Sequence, residues 1–172
     1  SLHFALRHPE RCSALVLLCP VTGRMPLPYD LTTDKLNFLL NFEFAGWLLT
    51  NPLRPILLTM VGLPPDVYKD LTQDERQTVD EMVRSFPPLS EKRDGIVNDA
   101  VQIPGMDEIN LEQIQTPTLM FHCADDPLVP VVSAQQTAQR LPDARLVEFP
   151  HGGHLMVGNH RTIFSEVESF LN

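Results

Sequence analysis

Two short stretches concentrate the residues able to move protons. HCADDPLVP, residues 122–130, carries the adjacent carboxylates Asp125 and Asp126 behind an apolar run, and PHGGHLMVG, residues 150–158, places His151 and His154 around two glycines behind another. A histidine acting as general base presents one ring nitrogen to a nucleophile. An acceptor on the other nitrogen holds the tautomer and stabilises the imidazolium as it forms. A carboxylate from the first stretch suits that acceptor role, and Gly152 and Gly153 let the loop pass close to the site without steric conflict. On residue type alone, either aspartate and either histidine can fill these roles. The other chemistry open to His151 and His154 is an H-x-x-H metal pair, but no neighbouring third ligand suggests itself. Neither metal nor cofactor is therefore expected. His3, His8, His122 and His160 read as surface, helix or strand-end residues.

An acid and a base 28 residues apart meet only if the chain turns back between them. Three short runs read as buried parallel strands: ALVLLC (14–19), TLMFHC (118–123) and ARLVEF (144–149). VVSAQQTAQRL (131–141) puts Ala134, Ala138 and Leu141 on one helical face, and RTIFSEVESFLN (161–172) does the same with Ile163, Val167, Phe170 and Leu171. Strand, helix, strand, helix is the grammar of a parallel sheet covered by helices. Both reactive stretches then fall at the carboxyl ends of strands, where open parallel sheets place their ligands. The opening SLHFALRHPE reads as the tail of a helix closed by Pro9.

The hundred or so residues between the first two strands differ in character. LNFLLNFEFAGWLL (36–49) is apolar nearly all round, Asn51 and Pro52 suit an N-cap and first helical position, and Thr72 with Glu75 forms a capping box ahead of Val79, Met82, Val83 and Phe86. This is a helical insertion. Its residues Phe42, Phe44 and Trp47 either line an apolar pocket or build its own core. Twelve acidic and five basic residues between positions 64 and 112 hold most of the chain's net charge of −9, a solvated acidic face. That charge disfavours nucleic acid or an anionic membrane as partner, and no run of 18 apolar residues is present. Cys12, Cys19 and Cys123 are odd in number and lack metal-like spacing, so a reducing, cytoplasmic setting is expected.

The two loops in this order resemble the C-terminal part of the α/β-hydrolase family. There the acid sits in a G-x-x-D-x-x-V-P loop and the histidine in a G-G-H-x loop. The matching residues are Asp126, with Val129 and Pro130 after it, and His154, with Gly152 and Gly153 before it. LRHPERCSALVLLCP also resembles the family's helix and strand downstream of the nucleophile, so the likeness covers residues 1 to about 20 and about 110 to 172. Cys123 departs from the family's usual glycine. The resemblance implies an α/β fold forming part of a parallel sheet, with residues 1–22 and 113–172 in the core and 23–112 as a helical cap. It implies a hydrolase in which Asp126 orients the base His154, acting on a small apolar ester or related acyl compound, with Trp47, Val129 and Leu155 as substrate contacts.

The family's nucleophile lies in a G-x-S-x-G turn before the acid and histidine, and no such motif occurs in the chain. Ser1 is followed two positions on by His3, not glycine. The expectation is that the nucleophile lies upstream. The chain would then be a fragment needing its N-terminal half, in cis or as a separate chain, since ALVLLC would otherwise leave a strand edge exposed. A serine nucleophile would mean ester, thioester, amide or carbon–carbon bond hydrolysis; an aspartate would mean dehalogenation or epoxide opening. A non-catalytic binding or receptor protein on the same scaffold is the alternative of another class.

Overall fold

The computed structural model describes residues 1–24, 38 and 40–172. In chain order its regular elements are α1 (Leu2–Arg7), β1 (Leu15–Leu18), α2 (Glu43–Thr50), α3 (Arg54–Met60), α4 (Pro65–Asp70), α5 (Gln73–Arg84), α6 (Leu89–Gly105), β2 (Thr118–Cys123), α7 (Val131–Arg140), β3 (Ala144–Phe149) and α8 (His160–Leu171), with short 3-10 turns at Pro9–Arg11 and Leu111–Gln113. The chain divides into two compact units, Ser1–Gly23 with Asp107–Asn172, and Arg24–Met106.

The first unit is a parallel sheet in the order β1-β2-β3, with Leu15 opposite Thr118 and Thr118 opposite Ala144. Parallel neighbours need a crossover, and α7 supplies the one between β2 and β3. All six residues of β2 are buried, as a central strand covered on both faces requires. Its alternating side chains feed two cores. Met120 packs with Leu15 and Leu17 of β1, Leu2 and Ala5 of α1 and Ala134 of α7. Leu119, Phe121 and Cys123 point the other way, to Phe149, Met156 and Ile163 of α8. Each fully buried large apolar side chain here is worth roughly 1.5–3 kcal/mol.

The expectation of three buried strands holds only for β2. In β1, Leu15 and Leu17 are buried while Val16 and Leu18 are 37% and 53% exposed. Among the described residues β1 pairs only with β2, and the helices pack on its Leu15 and Leu17 face. In β3, Phe149 is buried and Arg145 and Glu148 are exposed.

The second unit is helical throughout its described elements. Of the apolar run 36–49, positions 36, 37 and 39 lie outside the described residues, and α2 begins at Glu43. One of its apolar clusters is largely aliphatic, Leu40, Ala45 and Leu89 flanked by Leu49, Ile96 and Val97 with Phe86 beside them, and Leu57, Leu58, Leu63, Val79 and Val83 are buried elsewhere in the unit. Phe42, Phe44 and Trp47 are half or more exposed, so they do not form that core. The capping box at Thr72 and Glu75 is present at the start of α5. Asn51 does not open α3. It closes α2, its side-chain amide donating to the Trp47 carbonyl at 2.9 Å, because a helix C-terminus leaves carbonyls in need of donors. α3 starts at Arg54, with Pro55 in its first turn. Among the described residues, no helix is long and apolar enough to cross a membrane.

Candidate active site

The acid loop is shaped by its own aspartate. Beyond β2 the Asp126 N–H donates to the Cys123 carbonyl at 3.2 Å. The Asp126 carboxylate then folds back, Oδ1 accepting the N–H groups of Leu128 at 2.8 Å and Val129 at 3.0 Å. Aspartate is favoured in such turns because its short side chain reaches the backbone two residues on. Oδ2 is left pointing toward the histidine loop, and the side chain has no solvent exposure. Burial by itself would raise the Asp126 carboxyl. The hydrogen bond from His154 and the two backbone N–H groups outweigh it and hold the pKa below the ordinary value.

The histidine loop leaves β3 at Phe149 and turns through positive φ at Gly152 (136°), Gly153 (61°), Met156 (49°) and Gly158 (85°). At Gly152 both conformation and space exclude a side chain. A Cβ there would stand 2.7 Å from Asn159 Nδ2, 2.9 Å from the Val157 carbonyl and 3.0 Å from Cys123 Sγ. Asn159 Nδ2 donates to the His151 carbonyl at 2.7 Å, and the Cys123 thiol donates to the same oxygen at 3.4 Å. Cys123, the departure from the family pattern, is not at positive φ; it ends a buried strand and packs against Gly152.

These loops bring His154 Nδ1 to 2.8 Å from Asp126 Oδ2. Facing a carboxylate, Nδ1 carries the proton, so the neutral ring has its lone pair on Nε2. Nε2 has no hydrogen-bond partner among the described residues, and the His154 side chain is 30% exposed. A reachable imidazole therefore rests on a buried carboxylate. The rival pairing looks different: His151 Nδ1 is 3.7 Å from Asp125 Oδ2, beyond hydrogen-bond range, with the histidine side chain 84% exposed.

The remaining expected contacts fall in different places. Leu155 is half-buried directly after the base. Val129 is 2% exposed and acts through its backbone, its N–H on Asp126 and its carbonyl on His122. Trp47 lies on α2 of the second unit, 53% exposed and stacked on Phe44 at 5.6 Å. Two residues given no role in the sequence adjoin the acid. His122 is fully buried; its Nε2–H donates to the Val129 carbonyl at 2.8 Å and lies 3.5 Å from Asp126 Oδ2, and Nδ1 has no partner among the described residues. Its four-residue spacing to Asp126 was the available signal. Cys19, at positive φ beyond β1, is held near about 12 by burial and then by the Asp126 charge. Cys19, His122 and Asp126 offer ligand atoms within 4.8 Å of one another, but a cation there would compete with His154 for Asp126.

The family described as alpha/beta hydrolase fold matches residues 1–160. The chain is similar to a pimeloyl-(acyl-carrier protein) methyl ester esterase of Nitrosomonas europaea, 46% identical over 159 residues, covering 90% of this chain and 59% of the relative. It is 26% identical over 171 residues to the enzyme of the same name from Aromatoleum aromaticum, covering 93% and 64%. Among solved structures it superposes on an α/β-hydrolase from a Medee basin deep-sea metagenome library (TM-score 0.67, 23% identity, 99% of this chain and 60% of that one). It does so equally on the enol-lactonase of Burkholderia xenovorans (TM-score 0.67, 15% identity, 99% and 60%). The chain spans between 59% and 64% of the length of these relatives. Matched to that family over residues 1–160, and folded as a parallel sheet of the kind it implies, the chain belongs to the α/β-hydrolase fold family.

Proposed function

We propose that the chain carries the acid and base of an esterase-like hydrolase acting on a small apolar ester or related acyl compound. The observation that carries this reading is the His154 Nδ1 to Asp126 Oδ2 bond of 2.8 Å with Nε2 left free to take a proton among the described residues. In the proposed reaction a hydroxyl nucleophile gives its proton to His154 Nε2 as it attacks the acyl carbon. Asp126 stabilises the resulting imidazolium, and His154 returns the proton to the leaving alcohol. Water then repeats the sequence on the acyl-enzyme. The nucleophile is proposed to come from a segment outside these 172 residues, pairing along the edge of β1 that no described strand occupies. The share of its relatives that the chain spans supports this. Leu155, beside the proposed base, is proposed to contact the apolar part of the substrate. The similarity to methyl ester esterases and the apolar side chain of Leu155 support the ester class.

Hydrolysis of p-nitrophenyl butyrate by the whole protein tests the reading. His154→Ala is expected to lower kcat by a factor on the order of 10³ or more. A robust esterase activity that survives this substitution would remove His154 as the base.

A further inference from the structure

We propose that Asp125 is the positioning residue for His154, an inference that rests on reading His154 as the base. The Asp125 carboxylate accepts two consecutive backbone N–H groups of the histidine loop, Gly153 on Oδ1 at 2.9 Å and Gly152 on Oδ2 at 3.2 Å. These are the N–H groups of the two residues immediately before His154. Asp126, the next residue in the chain, holds the ring. The acid loop therefore grips the histidine loop at two points set by adjacent residues, one on the backbone and one on the imidazole. For the ring to drift from Asp126 by a movement of its loop, the bonds to Asp125 must break as well.

The chemistry of this second grip requires a carboxylate. Two N–H donors converge on one side chain because Gly152 and Gly153 both turn through positive φ, and two acceptor oxygens of an ionised group meet them. Asparagine would present one acceptor and turn its NH2 toward the other N–H. The His151 ring, 3.7 Å away and mostly exposed, does not replace either bond. Adjacent carboxylates thus have separate tasks, and that of Asp125 involves no contact with substrate.

The test compares Asp125→Ala and Asp125→Asn with the unaltered whole protein, using p-nitrophenyl butyrate. A misplaced base costs turnover more than binding, so Asp125→Ala should lower kcat by a factor on the order of 10² with KM changed less than about twofold. Asp125→Asn, which keeps one acceptor, should fall between the two. A second readout is the low-field proton resonance of His154 Nδ1–H, identified by its loss in His154→Ala. It should broaden or vanish in Asp125→Ala. Wild-type kcat together with an unmoved resonance in folded Asp125→Ala would overturn the proposal. So would an Asn variant no better than Ala with the resonance unmoved in both. If Asp125→Ala does not fold, the Asn variant decides: an unmoved resonance with wild-type kcat overturns the proposal, and a broadened one with reduced kcat supports it. If His154→Ala leaves hydrolysis intact, the base assignment fails on that result alone. The resonance still reports whether Asp125 holds the ring against Asp126.

Discussion

The imidazole of His154 and the carboxylate of Asp126 meet at 2.8 Å, yet the first is 30% exposed and the second not at all. The acid is sealed by its own loop, its other oxygen taken by Leu128 and Val129 N–H, so its orientation does not depend on a substrate arriving.

That orientation makes Asp126→Asn an informative change. With its amide oxygen kept on the two backbone N–H groups, asparagine must turn NH2 toward His154 Nδ1. The ring then carries its proton on Nε2 and can no longer accept one there. In the proposed reaction kcat should fall by a factor of about 10⁴ with little change in KM, measured by steady-state hydrolysis of p-nitrophenyl butyrate. A drop of less than about tenfold would show that the tautomer is not what Asp126 controls.

Asp126 should also leave a mark on stability against pH. Its carboxyl is held below the ordinary 3.8 in the fold, so the anion favours the folded chain. The contribution is fully present above about pH 4 and is lost as pH falls through the depressed folded value. Urea midpoints of the unaltered protein and of Asp126→Asn should therefore converge as pH is lowered below about 4. A difference that stays constant from neutrality to about pH 2.5 would disconnect the carboxylate from folding.

Thiol chemistry should separate the three cysteines. Cys19 and Cys123 are both buried, and burial raises their thiols to about 12, helped by the Asp126 charge at Cys19 and by the Asp125 and Asp126 charges at Cys123. Only a thiolate attacks a disulfide reagent readily. At pH 8 the folded whole protein should react fast with Ellman's reagent at the partly exposed Cys12 and slowly at Cys19 and Cys123, and at all three after denaturation. Rapid native labelling at Cys123, located by peptide mass mapping, would contradict the packing of that thiol against Gly152.

Much of the site is legible in local pattern. The runs 118–123 and 144–149 become strands at those residues, because a β-rich apolar run bounded by turn residues has few alternatives in a parallel sheet. The capping box at Thr72 forms because both of its bonds lie within one turn. Asn51 was harder: an asparagine between two helices can serve either end, and which helix it closes depends on where the next one starts. The exposure of β1's second face and of Phe44 and Trp47 depends on what packs against them, and residue type carries no information about that.

The order of elements and the placing of both reactive loops at strand ends were determined by the one-dimensional pattern, since periodicity and turn chemistry act over a few residues, whereas the choice of Asp126 and His154 within those loops rests on the resemblance of their motifs to the α/β-hydrolase family. The division of labour between neighbouring carboxylates belongs to the tertiary structure. Asp125 and Asp126 are the same residue type one position apart. What separates them is which oxygen meets a ring nitrogen and which meets a peptide N–H 27 or 28 residues away. The parallel register of β2 and β3 sets that meeting, bringing Cys123 opposite Phe149 so that the two loops leave the sheet side by side.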